Sequence, residues 1–455
     1  LSDLDRKSME PMAIAYAGVG GVRKFANFFS RSPYDQEAML GEYQKEIGEL
    51  LSHPDGMITG DGCDFPKKGK NSVGVARQYC GRLGKVDNCQ ASVMVGLASP
   101  EGYGLVDFGL YMPKIWFGQE YEALREKCGV PGDLEFATKN QMLSAMVARA
   151  VSSGFFKGKY VGVDAAFGND GDFLDSLPEG LVYFADVPSS KLVFVGRPGS
   201  EHFQNGVETG RPAGKIPLLP VKVKEIGDDP DVPWEGVVLG YGAKGPIIGR
   251  DKCVKVVESR NGMPGKDVWL YMRMLEDGSV KFALCNESMD ATPEKIRIPA
   301  LMRWSIEQCF NECKDYLGID HYELRSWTGW RRHILLTLIA HLFIIKLRRR
   351  FSLKMDTPGP APLVTGPVSL SDYREAVSKS DKNLPIDHPN ITVSPDKPQQ
   401  ILTIGMIVKI IRPFFPKLNQ ALAEVNYMLK SATDSFWAHT KVKSIKYLQG
   451  PVLTG

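Results

Sequence analysis

Arg303, Glu307 and Lys314 fall as R-x3-E-x6-K within the run Arg-Trp-Ser-Ile-Glu-Gln-Cys-Phe-Asn-Glu-Cys-Lys. At 3.6 residues per turn, offsets of four and seven return to one helix face. That face carries a cation, an anion and a cation, while Ile306, Phe310 and Leu317 mark the buried side. Two positive groups flanking a carboxylate keep it ionised and available to a metal. The same spacing also makes an ordinary salt-bridged helix surface, and this stretch alone leaves both readings open.

Two aspartates far upstream add to it. Asp61 follows the strand-like 57–59, and Asp164 ends the strand-like 160–163. Cleaving a phosphodiester needs an activated water and neutralisation of the leaving oxygen. Two Mg²⁺ ions roughly 3.5–4 Å apart do both, and hard cations take oxygen ligands. Three carboxylates gathered without His or Cys fit Mg²⁺ and exclude zinc. Asp64 is the rival to Asp61, and the turn expected over 62–66 gives it a structural explanation. Asp164 lies among Val163, Ala165, Ala166 and Phe167 with no polar local task in view, so a metal or cation is its expected partner.

The elements that would position these groups read as follows. Residues 1–52 are helical, with Met39, Tyr43, Ile47 and Leu50 at helical spacing. Strands are expected over 91–97 and 103–111, and a helix over 138–153 with Met142, Ala145, Met146 and Ala150 inward. Beyond 181 the chain turns rich in Val, Gly and Pro, with short alternating runs around an Asp-Gly turn at 277–278. Helices return over 299–318 and 328–350. Residues 356–400 hold eight prolines and no apolar period, and 401–447 place Ile404, Ile407, Val408 and Ile411 on one face. The division is an N-terminal helical region 1–56, a core in two parts at 57–180 and 299–355, a β-rich insertion 181–298, a Pro-rich linker 356–400 and a C-terminal helical region 401–455. This is an α/β chain whose central sheet sets strand-end carboxylates beside a helix.

The 455 residues give room for two or three domains. Apolar content of 43% and charged content of 24% are those of a soluble globular chain. Net charge is only +3, yet 66–85 carry Lys67, Lys68, Lys70, Arg77, Arg82 and Lys85 without an acid. Residues 325–350 carry seven Lys and Arg without one, and 401–455 carry seven against Glu424 and Asp434. Such blocks point to a localised polyanion surface, with solvated faces as the plain alternative. The eight cysteines form no C-x2-C pair, which argues against zinc and for reduced thiols in a cytosolic setting. The longest apolar run, 334–345, is too short to span a bilayer. The chain begins Leu1-Ser2 with no initiator Met, and residues missing upstream are the expectation.

The stretch Gly60-Asp61-Gly62-Cys63-Asp64-Phe65-Pro66-Lys67-Lys68-Gly69, followed by Ser72-Val73-Gly74-Val75-Ala76-Arg77-Gln78-Tyr79-Cys80-Gly81 and Asn88-Cys89-Gln90, resembles the DDE transposases of bacterial insertion sequences. With R-x3-E-x6-K, the Asp164 segment and 318–327, it is similar to the branch marked by a Y-x2-R-x3-E-x6-K helix and a β insertion before it. The resemblance covers about residues 1–350 and fades beyond. It implies an RNase H-like mixed-sheet core, with Asp61, Asp164 and Glu307 as the catalytic, metal-binding carboxylates holding two Mg²⁺, for which Mn²⁺ can substitute. Arg303 and Lys314 would contact DNA phosphate. The activity implied is hydrolysis at transposon ends followed by attack of the freed 3′-hydroxyl on target DNA, without a covalent protein–DNA intermediate. Double-stranded DNA and a homodimer assembled on it, in the bacterial cytoplasm at the nucleoid, complete what the resemblance implies.

Two departures stand out. The signature Tyr would fall at Ala300, and the region upstream of the core is short. Glu323 is expected as a helix-start carboxylate or a supporting acid near the site, as is Asp64. Lys67, Lys68, Lys70 and Arg77 are the expected phosphate contacts, with a solvated loop as the alternative. Trp304, Trp327 and Trp330 are expected in the core more than as stacking platforms. A non-cutting DNA-binding protein of the same fold and a nuclease without strand transfer are the rival readings.

Overall fold

A computed structural model describes residues 4–197, 219–242, 245–275, 277–354, 386–388, 391–393 and 408. The helical region expected over 401–447 lies outside the described residues apart from Val408. Within 356–400 the described residues are the antiparallel pair Ile386–His388 and Ile391–Val393.

Three helices open the chain: α1 (Met9–Ala17), α2 (Val22–Arg31) and α3 (Gln36–Leu51). Asp35 starts α3 by accepting from the amides of Glu37 and Ala38, which satisfies two of the helix's free N–H groups. Leu40, Tyr43, Ile47 and Leu51 then form its buried stripe. Next come strands β1 (Gly56–Pro66), β2 (Ala76–Cys80), β3 (Lys85–Ser99) and β4 (Gly102–Tyr111). Helices α4 (Glu122–Cys128) and α5 (Lys139–Ser152) follow, then β5 (Gly158–Val163), α6 (Ala165–Gly168), α7 (Gly171–Asp175) and β6 (Val182–Val187). A capping box between Thr138 and Gln141 fixes the start of α5. Met146 and Ala150 are buried as expected and Met142 is half-buried against the core, but Ala145 is exposed and Leu143 and Val147 complete the buried face.

β7 (Leu192–Phe194), β8 (Val221–Lys222), α8 (Val223–Asp228), β9 (Glu235–Gly242), β10 (Gly245–Arg260), β11 (Met263–Met274) and β12 (Val280–Cys285) come next. The chain returns to helix in α9 (Pro293–Arg303), α10 (Ser305–Glu312) and α11 (Trp327–Lys354). The single helix expected over 299–318 is therefore broken at Trp304, and its end is a π-helical turn over Cys313–Leu317 closed by Gly318 at φ +69°.

One mixed sheet holds all twelve of these strands. Its centre runs β4-β3-β1-β5-β6, with β5 parallel to both β1 and β6 and β3 antiparallel to its neighbours. This is an α/β RNase H-like arrangement. β6, read from sequence as the start of the insertion, lies inside that centre. The strands after it extend the same sheet, because β12 pairs antiparallel with β6 from Phe282↔Val187 to Cys285↔Phe184.

The pleat decides which side chains meet. Gly60 turns toward Leu143 of α5, whereas Gly96, paired with Thr59, turns toward Ile306 of α10. Alternation along β1 then puts Asp61 on the face that α10 covers. β1 runs without interruption from Gly56 to Pro66, since β3 pairs along it from Met57↔Ala98 to Pro66↔Cys89. Asp61 thus stands inside a strand rather than after one, and the expected turn over 62–66 is strand. Among the described residues, no helix is long and apolar enough to cross a membrane. None of the eight cysteines is in a disulfide.

Candidate active site

Gly60 of β1 is in register with Val163 of β5, and Val163 with Ala185 of β6. One residue further on, Asp61, Asp164 and Asp186 stand side by side across three adjacent parallel strands. Gly162 on β5 faces Arg303 of α9, and the two-residue period carries Asp164 and Asp186 to the same side. Asp61, Asp164, Asp186, Arg303, Glu307 and Lys281 line one open cleft of about 420 Å³.

Arg303 occupies the centre of this group. Its side chain is 5% exposed, with Nε 3.5 Å from Asp186, Nη2 3.7 Å from Asp61 and Nη1 3.7 Å from Glu307. These are ion-pair distances longer than hydrogen bonds, and the buried Nε and Nη1 have no hydrogen-bond partner. Burial pushes Asp61 up to about 7 against the pull of Arg303, and the neighbouring Asp164 and Glu307 charges add to the rise. Asp186 is raised by burial too, with Arg303 and Lys281 opposing. Asp61 accepts from the Gly62 amide at 2.6 Å.

Asp164 does have a local task. Its Oδ1 accepts from the amides of Ala166 and Phe167 at 3.1 and 3.3 Å, capping α6 as the chain leaves β5. Glu307 comes from the first turn of α10 and is the most exposed of the carboxylates paired with Arg303. Lys314 lies on the π-helical turn against the Phe310 ring and is not among the residues lining the cleft.

The other expected residues lie elsewhere. Asp64 accepts from the Gly81 amide at 2.6 Å and faces Lys139 at 3.9 Å, tying β1 to the turn after β2. Glu323 pairs with Arg6. Lys67 donates to the Tyr322 carbonyl at 2.6 Å and lies over that ring, while burial brings its ammonium down to about 8. Lys68, Lys70 and Arg77 are exposed. In the 325–350 block, Arg332 donates to the carbonyls of Phe28, Phe29 and Ser32, Arg331 pairs with Glu37, Lys346 with Glu46 and Arg349 with Glu101. Four of the seven cations in that block thus have partners within the chain, Arg332 buried and Lys346 and Arg349 in half-exposed ion pairs. Trp330 is fully buried as expected, but Trp304 is 49% exposed and lines a smaller pocket that adjoins the cleft through Arg303 and Glu307.

Asp186 and Lys281 escaped the sequence reading. The signal for Asp186 was present: Tyr183-Phe184-Ala185 runs into an Asp just as Val161-Gly162-Val163 runs into Asp164. Lys281 had none, since it reaches the cleft only through the pairing of β12 with β6.

Residues 1–243 match the family model described as DDE superfamily endonuclease. The chain belongs to this family. The matched region of this DDE endonuclease holds Asp61, Asp164 and Asp186 and stops before Arg303 and Glu307. A probable transposase for insertion sequence element IS701 from Microchaete diplosiphon is 27% identical over 195 residues, 42% of this chain and 47% of that protein. The chain thus spans about half the length of the curated relative it matches. The NurA nuclease from Sulfolobus solfataricus aligns over 73% of this chain and 97% of its own, with 10% identity and a TM-score of 0.23, too low to bear on fold or function.

Nucleases of the DDE type generally use divalent metal ions. The all-oxygen donor set of this DDE endonuclease suits hard cations. Among the described residues no three His, Cys, Asp or Glu side chains close on one point, and Arg303 stands between the carboxylates. The carboxylates fit a divalent ion in chemistry and in facing one cleft, where an arriving ion competes with the guanidinium.

Proposed function

We propose that this chain is the DNA transposase of an insertion sequence. It hydrolyses a strand at the transposon end and joins the freed 3′-hydroxyl to target DNA. The observation that carries this reading is that Asp61, within β1, and Asp164, just past the end of the adjacent parallel strand β5, stand at one level, with Glu307 facing Asp61 across Arg303. The family match and the transposase relative support it.

In this reading Asp61, Asp164 and Glu307 would hold two Mg²⁺ ions, for which Mn²⁺ could substitute. Bound there, the ions would supply activation of water or of the 3′-hydroxyl and neutralisation of the leaving oxygen. The chain's own residues do the rest. Asp164, its Oδ1 held by two amides, would bind through its other oxygen, and Glu307 would reach an ion from its exposed helix turn. Arg303 and Lys281 offset phosphate charge at the cleft, and Lys68, Lys70 and Arg77 hold the duplex beyond it. The partners are double-stranded transposon ends and target DNA, with two protein copies bringing two ends together.

The test uses purified protein, Mg²⁺ or Mn²⁺, and a labelled duplex carrying the element's own end. Cleavage leaving a 3′-hydroxyl, joining to a second duplex, and loss of both in Asp164→Ala are expected. Tight binding with no cleavage in either metal would overturn the reading in favour of a non-cutting DNA-binding protein.

A further inference from the structure

We propose that Asp186 anchors Arg303, a fourth carboxylate that keeps the guanidinium in place when divalent cations take Asp61 and Glu307. The inference rests on the metal-dependent reading above and goes beyond it in giving Asp186 a task of its own. It begins with an imbalance, because the cleft lines four carboxylates with two cations, Arg303 and Lys281. Arg303 cannot serve all of them. Its fork is divided, Nε toward Asp186 and the two Nη atoms toward Glu307 and Asp61.

A guanidinium shared in this way competes with a metal for the same oxygens. Divalent ions can take Asp61 and Glu307 only if Arg303 keeps a partner, because a buried cation left alone is strongly destabilising. Glu307 is exposed and on a long side chain, so it is free to turn toward an ion. Asp186 is not, since its strand is held on both edges: Val163↔Ala185 on one side and Ala283↔Asp186 on the other. The stem of Arg303 is seated as well. Its Cδ lies over Gly162, where a Cβ would come within 3.2 Å of it. Of the three carboxylates, Asp186 is the nearest to Arg303, at 3.5 Å against 3.7 Å for the other two, and unlike Glu307 it stands in a strand paired on both edges. Asp186 is thus a positioning residue, acting on metal occupancy through Arg303.

The experiment is a Mn²⁺ titration of the full chain followed by electron paramagnetic resonance, which reads the number and affinity of bound ions without any cutting. Asp186→Asn should weaken Mn²⁺ by about tenfold, the equivalent of one lost charge-assisted contact, with the number of bound ions unchanged. Asp186→Glu should retain most of the affinity. In an Arg303→Met background, or Arg303→Gln if the Met variant does not fold, Asp186→Asn should change the affinity by less than about threefold, the sign of a coupled pair. Equal losses in both backgrounds would overturn the anchor. Loss of one bound ion in Asp186→Asn would overturn it in favour of direct ligation. Absence of Mn²⁺ binding by the unaltered chain would sink the metal reading itself and the anchor with it, whereas Mn²⁺ binding with additive losses removes the anchor alone.

Discussion

Arg297 donates two hydrogen bonds of 2.8 Å to Asp251, from Nε and Nη2, and both side chains are buried. Arg297 lies on α9, six residues before Arg303, and Asp251 lies on β10 beyond the core, so this pair fastens the helix of the cleft to the added strands. Glu235 and Glu294 close the network from the rim. Breaking a buried pair from one side leaves an uncompensated charge. Arg297→Met should therefore cost about 3–5 kcal/mol. Chemical denaturation checks it, and adding Asp251→Leu should recover much of the loss.

His333 gives the pH dependence. It is buried on α11, with Nε2 at 3.2 Å from the carbonyls of Gly318 and Ile319, and burial brings its imidazole down to about 4 against the effect of those carbonyls. A pKa lower in the folded state than in the unfolded one contributes stability that is present above the unfolded value of ~6.5 and lost as pH falls toward the folded value. Stability should fall by a few kcal/mol at most, on the order of 3, between pH ~6.5 and ~4. Melting curves of His333→Gln over that window should be flatter.

Gly168 ends α6 against β6, and a Cβ there would come within 2.2 Å of the Asp186 carbonyl oxygen. Backbone cannot yield as a side-chain tip does. Gly168→Ala should push α6 from β6, cost about 1–3 kcal/mol, and lower strand cleavage more than DNA binding, because Asp164 and Asp186 flank the contact. Thermal melts and a cleavage assay on one preparation decide it.

The basic residues after β1 divide by burial. Lys68, Lys70 and Arg77 are exposed, whereas Lys67 is held by Tyr322. Each of Lys68→Ala, Lys70→Ala and Arg77→Ala should lower the slope of log affinity for duplex DNA against log salt by about 0.9 per phosphate contact. Lys67→Ala should leave the slope nearly unchanged and instead lower stability by about 1–3 kcal/mol. A slope unchanged in all four would remove this loop from the DNA-binding surface.

What depends on local spacing and side-chain chemistry was legible in the residues alone. The helical period of α3 through Tyr43 and Ile47, the existence of α5, the R-x3-E-x6-K pattern and the candidate carboxylates Asp61, Asp164 and Glu307 are all short-range patterns, readable within a few turns or strand residues. Leu40 and Leu51, rather than Met39 and Leu50, complete the buried stripe of α3. Tertiary structure decided which distant residues share a place. Strand register set Asp186 beside Asp164, and the pairing of β12 with β6 brought Lys281 to the cleft. Packing of α11 on the N-terminal helices buried Arg332 against carbonyls of α2 and just beyond it and set Arg331 and Lys346 against Glu37 and Glu46 of α3, although their sequence reads as a free basic face. The physical reason is the same in each case. Residue type fixes what a group can do, but hydrogen-bond register and burial fix its partners, and those are set between segments that local spacing does not connect.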